Sequence, residues 1–377
     1  MRRRAARLLL SRAASSAPGI PVSERTEARL RGRWSALDAN AEAMLSQLSA
    51  SEAPLVWHKH GTFFEHLRDV WLMLCAWEQP QATCRLGLFH SAYSNSFVAM
   101  GIFDREKDRG KLAELIGDEA ENLVYKFCTI DRQSLERTVL EEGTIRPDGY
   151  DMTHIATGTP LRLTGGEAAA MITETLADEA EQRFGWQSEL EDGRVRAVWP
   201  GPFAPTLRLS RTSRLAYALR ASQLVPEHAL PPPFERCAKV LAPSDEAAAR
   251  EAYMRAVCAP AHVDGSGGPA GLADLDVAAR LNPYVGEPHL VAAQLLLEAA
   301  RWDEAAAKAA HGVALLETLA TSWDKRMSWQ AWLNWGRCLA FQAQLREWPA
   351  THGGIESLGA VVPRQRARGL NVGRSLL

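Results

Sequence analysis

Apolar side chains recur at three- and four-residue intervals along most of this chain, and those intervals mark out helices. Leu30, Trp34, Leu37, Ala41, Met44, Leu45 and Leu48 make one such stripe between Ser23 and Pro54. It falls short of the three or four heptads of a coiled coil, so it predicts one lid helix packed on the next helical segments. Phe63, Leu67, Val70, Leu74 and Trp77 make a second stripe, with His66 at its edge, until Gln79-Pro80 interrupts it. From Cys84 to Phe89 the chain is apolar nearly all round, as in a fully buried helix, and His90-Ser91 come directly after. Residues 93–110, rich in Ser, Asn and aromatics, read as a loop able to cover a pocket. Asp118-Glu119-Ala120-Glu121 and Thr164-Gly165-Gly166-Glu167 both have the form of a capping box. The first opens a helix that buries Leu123, Val124 and Phe127 and delivers Asp131-Arg132. The second opens a helix on which Met171, Ile172, Thr175 and Asp178 share a face. Between them, residues 143–163 carry Gly, Pro, Asp and alternating Thr and Ile, the marks of a short hairpin or irregular excursion.

The second half has a different texture. Residues 194–210 alternate weakly around Trp199-Pro200-Gly201-Pro202, which predicts a strand pair or an extended linker, and residues 226–233, with Pro231-Pro232-Pro233, mark a boundary. Beyond it Leu281-Asn282-Pro283 ends one helix, residues 288–300 make the next, and Arg301-Trp302-Asp303-Glu304-Ala305 turns into a third. Trp332, Trp335, Gly336 and Leu339 are spaced as in a repeat's first helix. This stretch resembles a degenerate tetratricopeptide array of about two units. Such arrays bind protein partners on a concave face; a short one can equally serve as packing against the preceding domain. The chain thus divides into a basic leader (1–22), a helical domain (23–190), a linker with short strands (191–235), a second helical domain (236–349) and a tail (350–377).

Composition narrows the function classes. With 377 residues, 46% hydrophobic and 23% charged, and a net charge of −2, the chain can bury two cores. No basic stripe with interleaved aromatics appears, so no nucleic-acid partner is expected. No apolar run approaches the ~18 residues of a membrane span. The six cysteines show no CxxC or paired spacing and read as small buried hydrophobes in a reducing compartment. Arg2, Arg3, Arg4, Arg7 and Arg12 precede any acid, the first being Glu24. That is the composition of a chloroplast or mitochondrial transit peptide, or of a basic leader on a cytoplasmic protein.

The chemistry concentrates on two histidines. His66 and His90 lie 24 residues apart on consecutive apolar helices, and a buried imidazole needs a hydrogen bond, a ligand or a metal. His66, then His90 in Leu88-Phe89-His90-Ser91, then Leu176-Ala177-Asp178 resemble the HD-domain metal-dependent phosphohydrolases, in particular the branch acting on alarmone nucleotides. The stretch from Leu123 to Arg132 adds a resemblance to an uncharacterised HD-like family of unknown function. The likeness covers about residues 55–185. Where the family's His-Asp pair carries aspartate this chain has Ser91, and its following acidic pair is Ser94-Asn95.

The resemblance implies an all-α fold, an HD-like domain followed by the tetratricopeptide-like one. It implies His66, His90 and Asp178 as ligands of one divalent ion, Mn, Fe, Zn or Mg, in an open three-ligand site. It further implies Ser91 orienting a water, with Lys59 and His60 contacting the phosphate of a small ligand. The trio His58-Lys59-His60 can also be a polar turn leading into the helix, and Asp131 can be a substitute ligand, a partner of Arg132 or a helix cap. A non-catalytic relative that binds a small molecule without any metal, with the repeat holding a protein partner, is the other expectation.

Overall fold

A computed structural model describes residues 20–58, 61–94, 101–182, 208–258, 268–325 and 327–348. Among them the protein is all-α, fifteen helices with two small two-stranded hairpins. The expected leader and tail lie almost wholly outside the described residues, as do Lys59 and His60.

The stripe between Ser23 and Pro54 is not one helix. α1 (Glu24–Leu30) stops, Gly32 turns the chain at φ +63°, Trp34–Ala36 form a 3-10 turn, and α2 (Ala41–Ser49) resumes. Its apolar positions still face inward, since Met44, Leu45 and Leu48 are buried. What the periodicity lacks is Asp38, which accepts from the Asn40 amide at 2.9 Å and pairs with Arg85 at 2.8 Å, holding the chain in a non-helical turn.

A hairpin of β1 (Trp57–His58) and β2 (Gly61–Thr62) leads into α3 (Phe63–Ala76). Thr62 and Glu65 cap α3 reciprocally, the Thr62 hydroxyl accepting from the Glu65 amide at 3.2 Å and the Glu65 carboxylate from the Thr62 amide at 2.8 Å. Leu67, Val70 and Leu74 are fully buried, each contributing about 1.5–3 kcal/mol. α4 (Gln81–Phe89) packs against α3 at Gly87, where a Cβ would overlap the Leu74 side chain; only glycine allows this approach.

After α5 (Arg109–Ile116) comes α6 (Asp118–Thr129), and here the expected capping box at Asp118 does not form. Gly117 is the N-cap. Glu121 is drawn away by tertiary donors, accepting from the Tyr93 hydroxyl at 2.9 Å and from Arg109 at 2.7 and 2.6 Å. Asp131 caps α7 (Arg132–Glu142), accepting from the Ser134 amide at 3.4 Å. The excursion is a hairpin, β3 (Tyr150–Thr153) against β4 (Pro160–Leu163). α8 (Gly165–Glu181) then starts with the Thr164–Glu167 capping box in place.

The strand pair expected over 194–210 lies almost wholly outside the described residues; the described part of the expected linker includes a helix, α9 (Arg208–Ala221), packed on α7 and α8. Its first amides find a distant acceptor, Glu246, at 3.0 Å from Leu209 and 2.7 Å from Ser210. A short turn, α10 (Pro233–Cys237), leads to α11 (Pro243–Cys258), α12 (Gly268–Leu281), α13 (Glu287–Glu298), α14 (Trp302–Leu319) and α15 (Trp329–Leu345). From α11 onward each helix packs on the next. One contiguous apolar cluster extends from Ala41 to Ala343. Polar ties cross the Pro-rich boundary as well: Trp77 Nε1 donates to the Thr318 carbonyl at 3.1 Å and Arg29 to that of Ala320 at 2.7 Å.

Candidate metal centre

The crossing of α3, α4 and α8 brings His66, His90 and Asp178 together. Their donor atoms all lie within 4.8 Å of one another, and all three residues are buried. His66 Nε2 is 3.3 Å from His90 Nε2 and 3.4 Å from Asp178 Oδ1. What happens at the other ring nitrogens decides which way the lone pairs point. His66 Nδ1 lies 2.5 Å from Glu181 Oε2, and His90 Nδ1 lies 2.8 Å from the Gly87 carbonyl oxygen. Each Nδ1 faces an acceptor and therefore carries its proton, which aims an Nε2 lone pair from both rings at the same point.

Two lone pairs that close repel unless a proton or a cation lies between them. The spacing suits a cation: tetrahedral bonds of about 2.0–2.1 Å place neighbouring ligand nitrogens about 3.3–3.4 Å apart. It also suits a proton shared between the rings, and the electrostatics put that proton on His66. Burial alone would lower the His66 pKa, but Glu181 and Asp178 outweigh it and the net shift is upward. His90 is pulled down to about 4, chiefly by burial, despite the favourable Asp178 charge. For Asp178 burial works upward, while His90, His66 and Arg132 hold the carboxyl below its usual range. The Gln182 amide and Arg132, at 3.7 Å, also face this carboxylate.

α8 supplies more than one ligand. Glu174, Asp178 and Glu181 follow i, i+4, i+7 spacing and share a face, with Asp178 at the convergence point and Glu181 behind His66. Glu174 is fully buried, 3.3 Å from His90 Nδ1, and neither of its carboxylate oxygens has a hydrogen-bond partner among the described residues. Burial, reinforced by Asp178, pushes its pKa well above the usual range. Arg132 closes this side, buried over the Phe127 ring at 4.2 Å.

Of the expected site residues, the structure thus unites His66, His90 and Asp178. Ser91 is fully buried beside His90 and offers a hydroxyl where a carboxylate was the family expectation. His58 is the described member of its trio, its ring 4.5 Å from that of His66. Glu174, Glu181 and Arg132 were missed as partners of the donors. The acidic spacing on α8 was the available signal for the first two. Beside His66 opens a cleft of about 240 Å³ that His58, His66 and Glu181 help to line, whereas His90 and Asp178 do not.

A family described as a domain of unknown function (DUF6817) matches residues 47–132. The matched stretch holds both histidines and Arg132 and ends before Asp178. No curated protein and no solved structure matches the chain. No helix among the described residues is long and apolar enough to cross a membrane.

Proposed function

We propose that this protein is a metal-dependent phosphohydrolase with an HD-like pocket, acting on a nucleotide or another phosphate ester through one divalent ion. The observation that carries the reading is the facing pair of Nε2 atoms at 3.3 Å with Asp178 beside them. His66, His90 and Asp178 would hold the ion, and Glu181 and the Gly87 carbonyl keep both imidazoles in the ligating tautomer. When bound, such an ion polarises a phosphoryl oxygen and supplies hydroxide at neutral pH. Arg132 offsets the negative charge that Asp178 places in a dry region. Ser91 in place of the family's aspartate leaves three ligands, a set that fits one ion and not two.

A second reading has its own support. The cleft is lined by His66 and Glu181 but not by His90 or Asp178, so a ligand can lodge there while touching one of the three donors and not the other two. In that reading the domain binds a small molecule without turnover and the tetratricopeptide-like helices α11–α15 hold a protein partner.

Metal analysis and hydrolysis assays on the full chain separate the two. The hydrolase reading expects about one Mn, Fe, Zn or Mg per chain. It also expects metal-stimulated release of phosphate from nucleotides or p-nitrophenyl phosphate, lost in His66→Ala and Asp178→Ala. A chain that takes up none of these ions and releases no phosphate when they are added sinks it.

A further inference from the structure

The cleft beside His66 is walled by residues from both ends of the described chain, the start of α3 on one side and the start of α15 on the other. Its carboxylates are already engaged. Glu65 accepts from the Thr62 amide at 2.8 Å, Asp69 from Arg68 at 3.1 Å, and Glu181 from His66 at 2.5 Å.

Two electropositive features have no such match. Arg29 is only 4% exposed and lines the cleft, yet makes no ion pair with a described carboxylate. Its Nη1 donates to the Ala320 carbonyl at 2.7 Å and its guanidinium lies 3.9 Å from the centre of the Trp329 ring. Its Nε has no hydrogen-bond partner among the described residues. Burial pulls the group down to about 10, which leaves it charged at neutral pH. Asp69 and Glu181 act on it only through space, and a buried cation without a directly paired anion gains from one that arrives from outside.

The second feature is the first turn of α15. It contains no acidic residue, and Ser328, Trp329 and Gln330 all line the cleft. The Ser328 hydroxyl accepts from the Ala331 amide at 3.2 Å. The amides of Trp329 and Gln330 have no partner within the helix, as at any helix start, and carry its positive dipole end. Lys325, which donates to the Thr321 hydroxyl at 2.7 Å, also reaches this wall.

We propose that this cleft binds the phosphoryl group of a small molecule, held jointly by Arg29 and the first turn of α15. A tetrahedral dianion can accept from a guanidinium and from helix-start amides at once, and Arg29 and the first turn of α15 both line this cleft. The inference deepens the hydrolase reading by naming an anchoring group for the ligand beside His66. It also assigns the second helical domain to ligand recognition. It does not depend on the three convergent donors.

The test is calorimetric titration of the full chain with inorganic phosphate, phenyl phosphate and acetate. Both phosphates are expected to bind with a Kd of about 1 mM or tighter, and acetate about tenfold more weakly or worse. Tighter binding of the ester assigns the site to an esterified ligand and tighter binding of the free ion to phosphate itself; both outcomes support it. Gln330→Glu places a carboxylate where the helix dipole favours one, so the melting temperature should hold or rise while phosphate affinity falls about tenfold. Arg29→Lys should weaken binding by a similar factor, since lysine keeps the charge and loses the fork. In Asp178→Asn phosphate should still bind, so a failure of the metal site and a failure of this cleft are told apart. Absence of phosphate binding, acetate binding as tightly as phosphate, unchanged affinity in Gln330→Glu, or loss of binding in Asp178→Asn alone each overturns the proposal.

Discussion

Among the buried carboxylates of the described residues, those along α8 and those between α13 and the loop before α15 are satisfied by different means. In the second, Glu287 Oε1 accepts from the amides of Trp323 and Asp324 at 2.5 and 3.1 Å. Asp324 accepts from the Tyr253 hydroxyl at 2.8 Å, and the Trp332 indole donates to its carbonyl at 2.7 Å. Burial pushes Glu287 up to about 7, so it keeps a proton through much of the physiological range. Fixed donors thus close over Asp324 and over Oε1 of Glu287, whose Oε2 has no hydrogen-bond partner among the described residues, and staple a loop. On α8 the central acid, besides the Gln182 amide and Arg132, also meets the Nε2 side of two imidazoles, and Glu174 has no hydrogen-bond partner among the described residues. Burial of carboxyl groups is common to both. What distinguishes a site is acceptors converging on acceptors, an arrangement that only a cation or a proton relieves.

The strongest way to break this contrast is Asp178→Asn, which should lower metal affinity by at least about 100-fold, since even an outer partner costs roughly 10–100-fold. Glu287→Gln should leave metal content unchanged, as read by elemental analysis of the purified variants. Equal losses in both would erase the distinction. Next in size, Glu181→Gln should weaken metal binding by about 10–100-fold, because the neutral amide no longer polarises His66. Acid should weaken it too: His66, with its raised pKa, must lose a proton to ligate, so affinity should climb with pH.

A third test sharpens the structural side through stability against pH. Glu287 binds its proton more tightly folded (about 7) than unfolded (about 4.5). Its contribution is therefore full below about 4.5, declines as pH rises to about 7 and is level above, a loss of roughly 3 kcal/mol. Glu287→Gln should remove that decline from the melting profile. His90 works the other way: its folded pKa of about 4 lies below the ordinary 6.5. Its contribution is full above 6.5 and is lost as pH falls toward 4. The smallest effect is expected from Thr164→Ala, about 1 kcal/mol through loss of the α8 cap, with the metal site still loading.

Much of the candidate site is legible in the sequence because its supports are local. Apolar spacing turns His66 and Asp178 inward, and the Thr164–Glu167 box sets the phase of α8. The same logic misreads residues 23–54, since a helical stripe records side-chain spacing and not the Gly32 turn or the Asp38–Arg85 pair. It misreads Asp118 too, where local capping loses to Tyr93 and Arg109. Among the basic residues before α3 it favours His60, while the described neighbour packed on His66 is His58.

Helix faces, the Thr164–Glu167 cap and the two candidate imidazoles belong to the sequence, since contacts within four residues decide them. Which acid stands behind which imidazole belongs to the tertiary structure: Glu181 meets His66 across 115 residues, and Arg29 meets Ala320 across 291. No local period encodes such encounters. They arise from how closely α3, α4 and α8 cross, and from the apolar cluster that draws the beginning and end of the described chain onto one cleft.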